Sequence, residues 1–335
     1  QGIAVVGDIA YIADGKNGLQ VIDISTPSQP KIIGSVDTPG SAVGVAVAGN
    51  TAFVADWDSG LQVIDIGTLS QPKIVTSVSI PGITNGGVAV AGSIVGVAVT
   101  GSIALVTGLD SGLHVIDIST PFQPKIIASV DIPMFWGLTV TGSIALVSGL
   151  DGGLHVIDIS TPSQPKIVAS VDTPSSPRGV AVMGNTVFVA DNGSGLLVVD
   201  ISILSQPKII GSADTPGYAE GLAIMRDTAF VTDSENGLQV IDISTLSQPE
   251  IIFYADTPTS AEGVAVMGNT AFVADDWEGL QVVDISTPSQ PKIIGSVDIS
   301  GGAHSVEYRF CGGLARCFAG DKYQHIVPAE NHRFC

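Results

Sequence analysis

A stretch of 23 residues, GLQVIDISTPSQPKIIGSVDTPG at Gly18–Gly40, returns nearly word for word along most of the chain. The proline of its Gln-Pro pair recurs at Pro30, Pro72, Pro124, Pro165, Pro207, Pro249 and Pro291, at steps of 42, 52, 41, 42, 42 and 42 residues. The aspartate of the VIDIS run keeps the same step at Asp23, Asp65, Asp117, Asp158, Asp200, Asp242 and Asp284. A period near forty residues marks a repeat architecture, in which each unit buries its apolar faces against its neighbours.

Each unit holds four short apolar runs. In the last regular copy they are Gly263–Gly268, Thr270–Asp275, Gly279–Ser286 and Lys292–Asp298. Val, Ile, Phe and Thr dominate, the texture has period two, and no window sustains a 3.6-residue stripe. Gly-Asn, Asp/Gly clusters, Ser-Thr-Pro-Ser-Gln-Pro and Asp-Thr-Pro separate the runs as turns. Four strands in about 42 residues are one propeller blade, and the strands are named A to D in chain order. The expected fold is all-β: seven regular blades over residues 1–300 and an irregular eighth unit at 301–335. The alternative is a seven-bladed ring with a packed tail.

The run GLQVIDIS with a preceding AFVAD resembles the LVIVD-repeat family of bacterial and archaeal proteins, over Gly2 to about Ser300. The resemblance implies a β-propeller, usually on exported or cell-surface proteins. It brings no agreed catalytic residues.

Hydrophobic residues make up 45% of the chain and charged ones 13%, which suits sheets covered on both faces. The net charge of −19 argues against nucleic acid and anionic membranes as partners. The first residue is Gln1, which is read as a processed or trimmed start and, with the resemblance, as an expectation of extracellular or cell-surface location. Ile74 to Leu109 carries no charge, a length that can span a bilayer. Pro81, Asn85 and several glycines break it, however, and GVAVAGSIV is followed at once by GVAVTGSIA. It is read as a duplicated strand-A segment that accounts for the long step, with no transmembrane segment.

Several positions break the repeat. His114 and His155 stand where Gln20, Gln62, Gln239 and Gln281 stand in other copies. Stacked blades are on the order of 10 Å apart, too far for the two to share a zinc. Pro133, Met134, Phe135 and Trp136 replace the usual entry to blade 4, as a ligand platform or as a plug of the channel. Trp57 and Trp277 lie in B–C connections of the same end. Candidate ligand-binding residues are therefore Phe135, Trp136, His114 and His155.

The tail from Gly301 holds Cys311, Cys317 and Cys335. Cys311 and Cys317 flank Gly-Gly-Leu-Ala-Arg, a hairpin that can place them across a disulfide, leaving Cys335 free or joined to another chain. Three ordinary thiols remain the other reading.

No phosphate-binding loop, nucleophile elbow or zinc-protease helix motif is present. The VIDIS aspartate recurs in every copy, so its expected role is structural, accepting N–H bonds in the turn that follows. The recurring lysine that opens strand D is expected on the outer rim, Glu250 being the exception. Strand alternation puts B–C and D–A connections at one end, with well over half of the 32 acids. That end is read as a solvated surface, or as one that binds calcium weakly through Asp56, Asp58, Asp275 and Asp276, or docks a basic partner such as a second copy, head to tail. The leading expectation is a non-enzymatic exported scaffold engaging a protein partner or itself, with no cofactor except possible calcium. The alternative is an enzyme or small-ligand propeller with its site at the channel mouth of blades 3 and 4. An asymmetric polar mouth favours the second, and a mouth of repeated small residues the first.

Overall fold

A computed structural model of the chain describes residues 2–57, 59–80, 94–108, 112–120, 123–132, 135–149, 153–234 and 236–298. They form seven antiparallel sheets of four strands, each in chain order A-B-C-D. Blade 1 is Ile3–Val6, Ile9–Ala13, Leu19–Asp23 and Lys31–Val36; blade 7 is Ala261–Met267, Thr270–Asp275, Leu280–Asp284 and Lys292–Val297. Each strand A touches the strand A of the next blade, and blade 7 returns to touch blade 1. The ring is a seven-bladed β-propeller with the A strands around its axis.

Burial explains the apolar composition. Strands B and C are sandwiched between neighbouring blades, strands A line the channel half-buried, and strands D face outward. At the junctions a large side chain meets a small one. Phe53 of blade 2 packs with Ala104 of blade 3, Phe188 with Ala229, and Phe230 with Ala271. Each such phenylalanine, once buried, contributes about 1.5–3 kcal/mol. Blade 7 meets blade 1 in the same way, Phe272, Leu280 and Val282 against Ala10, Ile12, Ile22 and Ile24.

That junction decides between the two expected forms of the ring. A Cβ on Gly295 of blade 7 would stand 2.5 Å from the Pro27 carbonyl of blade 1, just as one on Gly34 would stand 2.0 Å from Leu69 O at the first junction. The last and first blades are in direct contact, which leaves no gap for an eighth blade between them. The seven-bladed alternative is the ring observed; residues 299–335, with all three cysteines, lie outside the described residues.

The VIDIS aspartates do what their position implies. Asp23, Asp65, Asp117, Asp158, Asp200, Asp242 and Asp284 each accept the backbone N–H two residues on, at 2.8–2.9 Å. The strand-D lysines are exposed at the rim and pair in register with these aspartates, as Lys31 does with Asp23.

In blade 3, strand A is Ile94–Thr100, drawn mainly from the second of the duplicated segments. Residues 81–93 lie outside the described residues. Among the described residues no helix is long and apolar enough to cross a membrane.

Candidate functional site

At the end of the ring where the B–C and D–A connections lie, each strand A has a glycine at or near its start, at Gly2, Gly44, Gly96, Gly137, Gly179, Gly221 or Gly263. These glycines are required by crowding at the axis. A Cβ on Gly137 would stand 1.9 Å from the Arg178 carbonyl, one on Gly179 2.8 Å from the Glu220 carbonyl, and one on Gly221 2.6 Å from the Glu262 carbonyl. The residue before each glycine changes around the ring. It is Val43, Val95, Trp136, Arg178, Glu220 and Glu262 in blades 2 to 7.

Hydrogen bonds from the preceding blade hold three of these residues by their carbonyls. Gly137 N–H donates to Ser148 Oγ at 2.8 Å, and Ser148 Oγ donates to the Arg178 carbonyl at 2.6 Å. Gly179 N–H donates directly to the Glu220 carbonyl at 2.8 Å. Gly221 N–H donates to Thr232 Oγ1 at 2.7 Å, and Thr232 Oγ1 donates to the Glu262 carbonyl at 3.0 Å. Ser148 and Thr232 occupy the strand-B position that Ala13, Ala55, Ala190 and Ala274 fill in blades 1, 2, 5 and 7 and Thr107 fills in blade 3. The Thr107 hydroxyl makes no hydrogen bond among the described residues, whereas those of Ser148 and Thr232 help stitch the mouth from blade 4 to blade 7.

The result is an asymmetric cavity of about 430 Å³ at the channel mouth, whose walls include Trp57, Trp136, Arg178, Glu220 and Glu262. The Arg178 guanidinium lies 4.0 Å from the centre of the Trp136 ring, a cation–π stack. Its Nε is 3.7 Å from Glu220 Oε2. Asn192 Nδ2 donates to Glu220 Oε1 at 3.2 Å. Burial pushes the Glu220 carboxyl above its usual range; Arg178 opposes the shift and Glu262 adds to it. Trp57 enters from the blade 2 B–C connection with φ of 42°, where blade 1 has Gly15. A bulky residue in that region costs energy and persists only when its surroundings demand it.

The acids of this end are not one solvated surface, as the sequence suggested. Asp14, Asp56, Asp191, Asp233 and Asp275 are buried. Four of them bind the connection that leads into their own blade. Asp56 accepts Thr38 Oγ1 at 2.6 Å and Gly40 N–H at 2.9 Å, Asp191 accepts Ser175 N–H, Asp233 accepts Gly217 N–H, and Asp275 accepts Thr259 N–H. The Asp-Thr-Pro connection and the aspartate ending strand B are thus partners in one clamp. Gly108 and Gly149 replace that aspartate in blades 3 and 4.

Of the residues singled out from sequence, Trp136 lines the cavity. Phe135 opens strand A of blade 4, and its side chain is outside the described residues. His114 and His155 lie in strands C, buried, with Nδ1 2.8 Å from Ser129 Oγ and Ser170 Oγ respectively, and neither lines the cavity. The equivalent Gln20, Gln62, Gln239 and Gln281 instead donate Nε2 to the carbonyl three residues back, bracing their B–C turns. Of the calcium candidates, Asp56 and Asp275 are engaged in the clamps, Asp276 sits at φ of 30°, and Asp58 lies outside the described residues. Among the described residues no three metal-ligating side chains come together. Arg178, Glu220 and Glu262 were missed as a site, although aligning the copies on the strand-A glycine exposes a column that changes from valine in blades 2 and 3 to Trp136, Arg178 and then glutamate in blades 6 and 7.

Comparisons place this architecture. None of the curated proteins matches the chain. Among solved structures, a functionally unknown protein from Desulfotomaculum acetoxidans is similar at a TM-score of 0.68 and 16% identity, over 87% of this chain and 95% of that one. The computationally designed Ika8 protein is similar at 0.64 and 19%, over 89% and 87%. A chain of the mitotic checkpoint complex is similar at 0.65 and 12%, over 82% and 83%. At these identities the likeness is one of fold. The LVIVD repeat profile matches residues 1–38, 39–79, 91–132, 135–173, 176–215, 216–257 and 258–299, and the chain belongs to the LVIVD repeat family.

Proposed function

We propose that this propeller is a binding protein whose ligand sits in the channel mouth, on the side formed by blades 4 to 7. One observation carries the reading. The position before the strand-A glycine, valine in blades 2 and 3, places Trp136, Arg178, Glu220 and Glu262 around one cavity, and the hydroxyls of Ser148 and Thr232 hold the Arg178 and Glu262 carbonyls. A scaffold selected only for packing has no use for that asymmetry. A concave site with an aromatic wall and a few convergent polar groups is the usual form of a small-ligand site. The propeller repeat fits a binding or scaffold role in general, and the mouth favours the small-ligand form of it.

The test is a thermal-shift screen of small cations, anions and neutral sugars against the wild type and Trp136→Ala. Compounds that raise the wild-type melting temperature and lose that effect in the variant support the reading. A set in which every stabilising compound acts equally on both proteins removes it.

A further inference from the structure

Resting on that reading, the geometry points to a ligand class: Arg178 fills, from within the chain, a subsite shaped for an organic cation, and the ligand of the mouth is a guanidinium- or ammonium-bearing molecule that takes its place.

The subsite is defined by what it already holds. A guanidinium lies on the Trp136 face at 4.0 Å, with the Glu220 carboxylate 3.7 Å from its Nε. An aromatic face beside a carboxylate is a cation receptor, selective for charge by Coulomb attraction and for organic cations by the ring. The walls are prepared independently of the Arg178 side chain: Asn192 positions Glu220, and Ser148 ties the blade 4 strand to the next blade.

The resident cation is held by the ring and by charge, and not by a hydrogen bond at Nε. Arg178 Nε is buried without a hydrogen-bond partner, and so is Trp136 Nε1 beneath it. A buried donor without an acceptor is destabilising, so this closed arrangement carries a cost that displacement of the side chain relieves. The Arg178 backbone is fixed through its carbonyl, while its long side chain borders the adjoining cavity. Trp57 offers a second aromatic wall there for the body of the ligand.

The surroundings favour positive charge. Glu220 and Glu262 line the mouth, and Asp276 lies near enough to Glu262 for the two to repel. Burial first, and the neighbouring Glu262 second, push the Glu220 and Asp276 carboxyls up, and a cation that enters favours their charged forms. Arg178 is the one basic side chain among the described residues lining the cavity.

The experiment uses the full chain and isothermal titration with methylguanidinium, methylammonium, acetate and methyl glucoside. Arg178→Ala empties the subsite and is expected to bind methylguanidinium at least tenfold more tightly than the wild type. Adding Glu220→Gln should abolish that gain. If Arg178→Ala does not fold, Arg178→Gln, which keeps bulk beside Trp136, decides by the same comparison. No gain for either cation in the folded variant overturns the inference. Should acetate or methyl glucoside bind in a Trp136-dependent way while the cations do not, the mouth remains a ligand site and the cation assignment falls.

Discussion

Asp242 stands directly across the strand C–D ladder of blade 6 from Glu250, acid against acid, where the other six blades set an aspartate against a lysine. Glu250 begins a strand that also carries the exposed, stacked pair Phe253 and Tyr254. Like charges directly opposite in a sheet are destabilising. Glu250→Lys is therefore expected to stabilise the protein by a few tenths of a kcal/mol, solvent screening limiting the gain. Chemical denaturation checks it, and an unchanged or lowered midpoint contradicts it.

The clamps predict a larger effect. Asp233 is fully buried and accepts Gly217 N–H at 3.0 Å. Asp233→Ala leaves that amide without its acceptor and should cost about 1–3 kcal/mol. Asp233→Asn keeps an acceptor oxygen and should cost less. Equal losses in the two variants would show that the bond contributes nothing.

Crowding at the axis separates two glycines. Gly137→Ala forces a Cβ to 1.9 Å from the Arg178 carbonyl, whereas Gly142, at φ of 55°, has open space around the added atom. The first substitution should cost about 3 kcal/mol and distort the mouth. The second should cost only about 1 kcal/mol, for the left-handed backbone. Unfolding curves and binding at the mouth distinguish them, and a tolerated Gly137→Ala would contradict the close approach.

Trp57→Gly tests whether backbone strain is retained for binding. With φ of 42° at Trp57, glycine should relieve about 1 kcal/mol while removing one wall of the cavity. Raised melting temperature with weakened ligand binding is the expected pair of results. A destabilised variant would show that the indole contributes packing instead.

Stability should vary with pH in two opposed ways. Burial pushes Asp14 up to about 6 from 3.8, aided by Asp276 and Asp298 against the pull of Asn17. Burial likewise raises Asp191, Asp233 and Asp275. A raised carboxyl contributes stability that is complete below the unfolded value and is lost as pH rises through the folded one. Asp23, Asp117, Asp158, Asp200, Asp242 and Asp284 are held low by hydrogen bonds from the serine two residues on, and their contribution is lost as pH falls below 3.8. The melting temperature should therefore rise from pH 7.5 to about 5 and fall below about 3.8. Asp14→Asn should flatten the rise near pH 6. A monotonic fall from 7.5 to 5 would contradict the assignment.

The blade was legible in the sequence because its determinants are local. Period-two apolar runs, Ser-Thr-Pro turns and an aspartate two residues from its N–H donor all act within a few residues, and seven copies repeat the message. The number of blades in the ring, the buried state of Asp56 and Asp233, and the meeting of Trp136, Arg178, Glu220 and Glu262 were decided only by tertiary structure. Blade number depends on how closely Phe272 and Ala10 let sheets approach, a packing distance that no single repeat contains. The acids looked like a solvated surface because their partners, Thr38, Ser175 and Gly217, lie 16 or 18 residues away across a blade. The mouth joins residues about 42 apart in the chain, brought around one axis only when the ring closes.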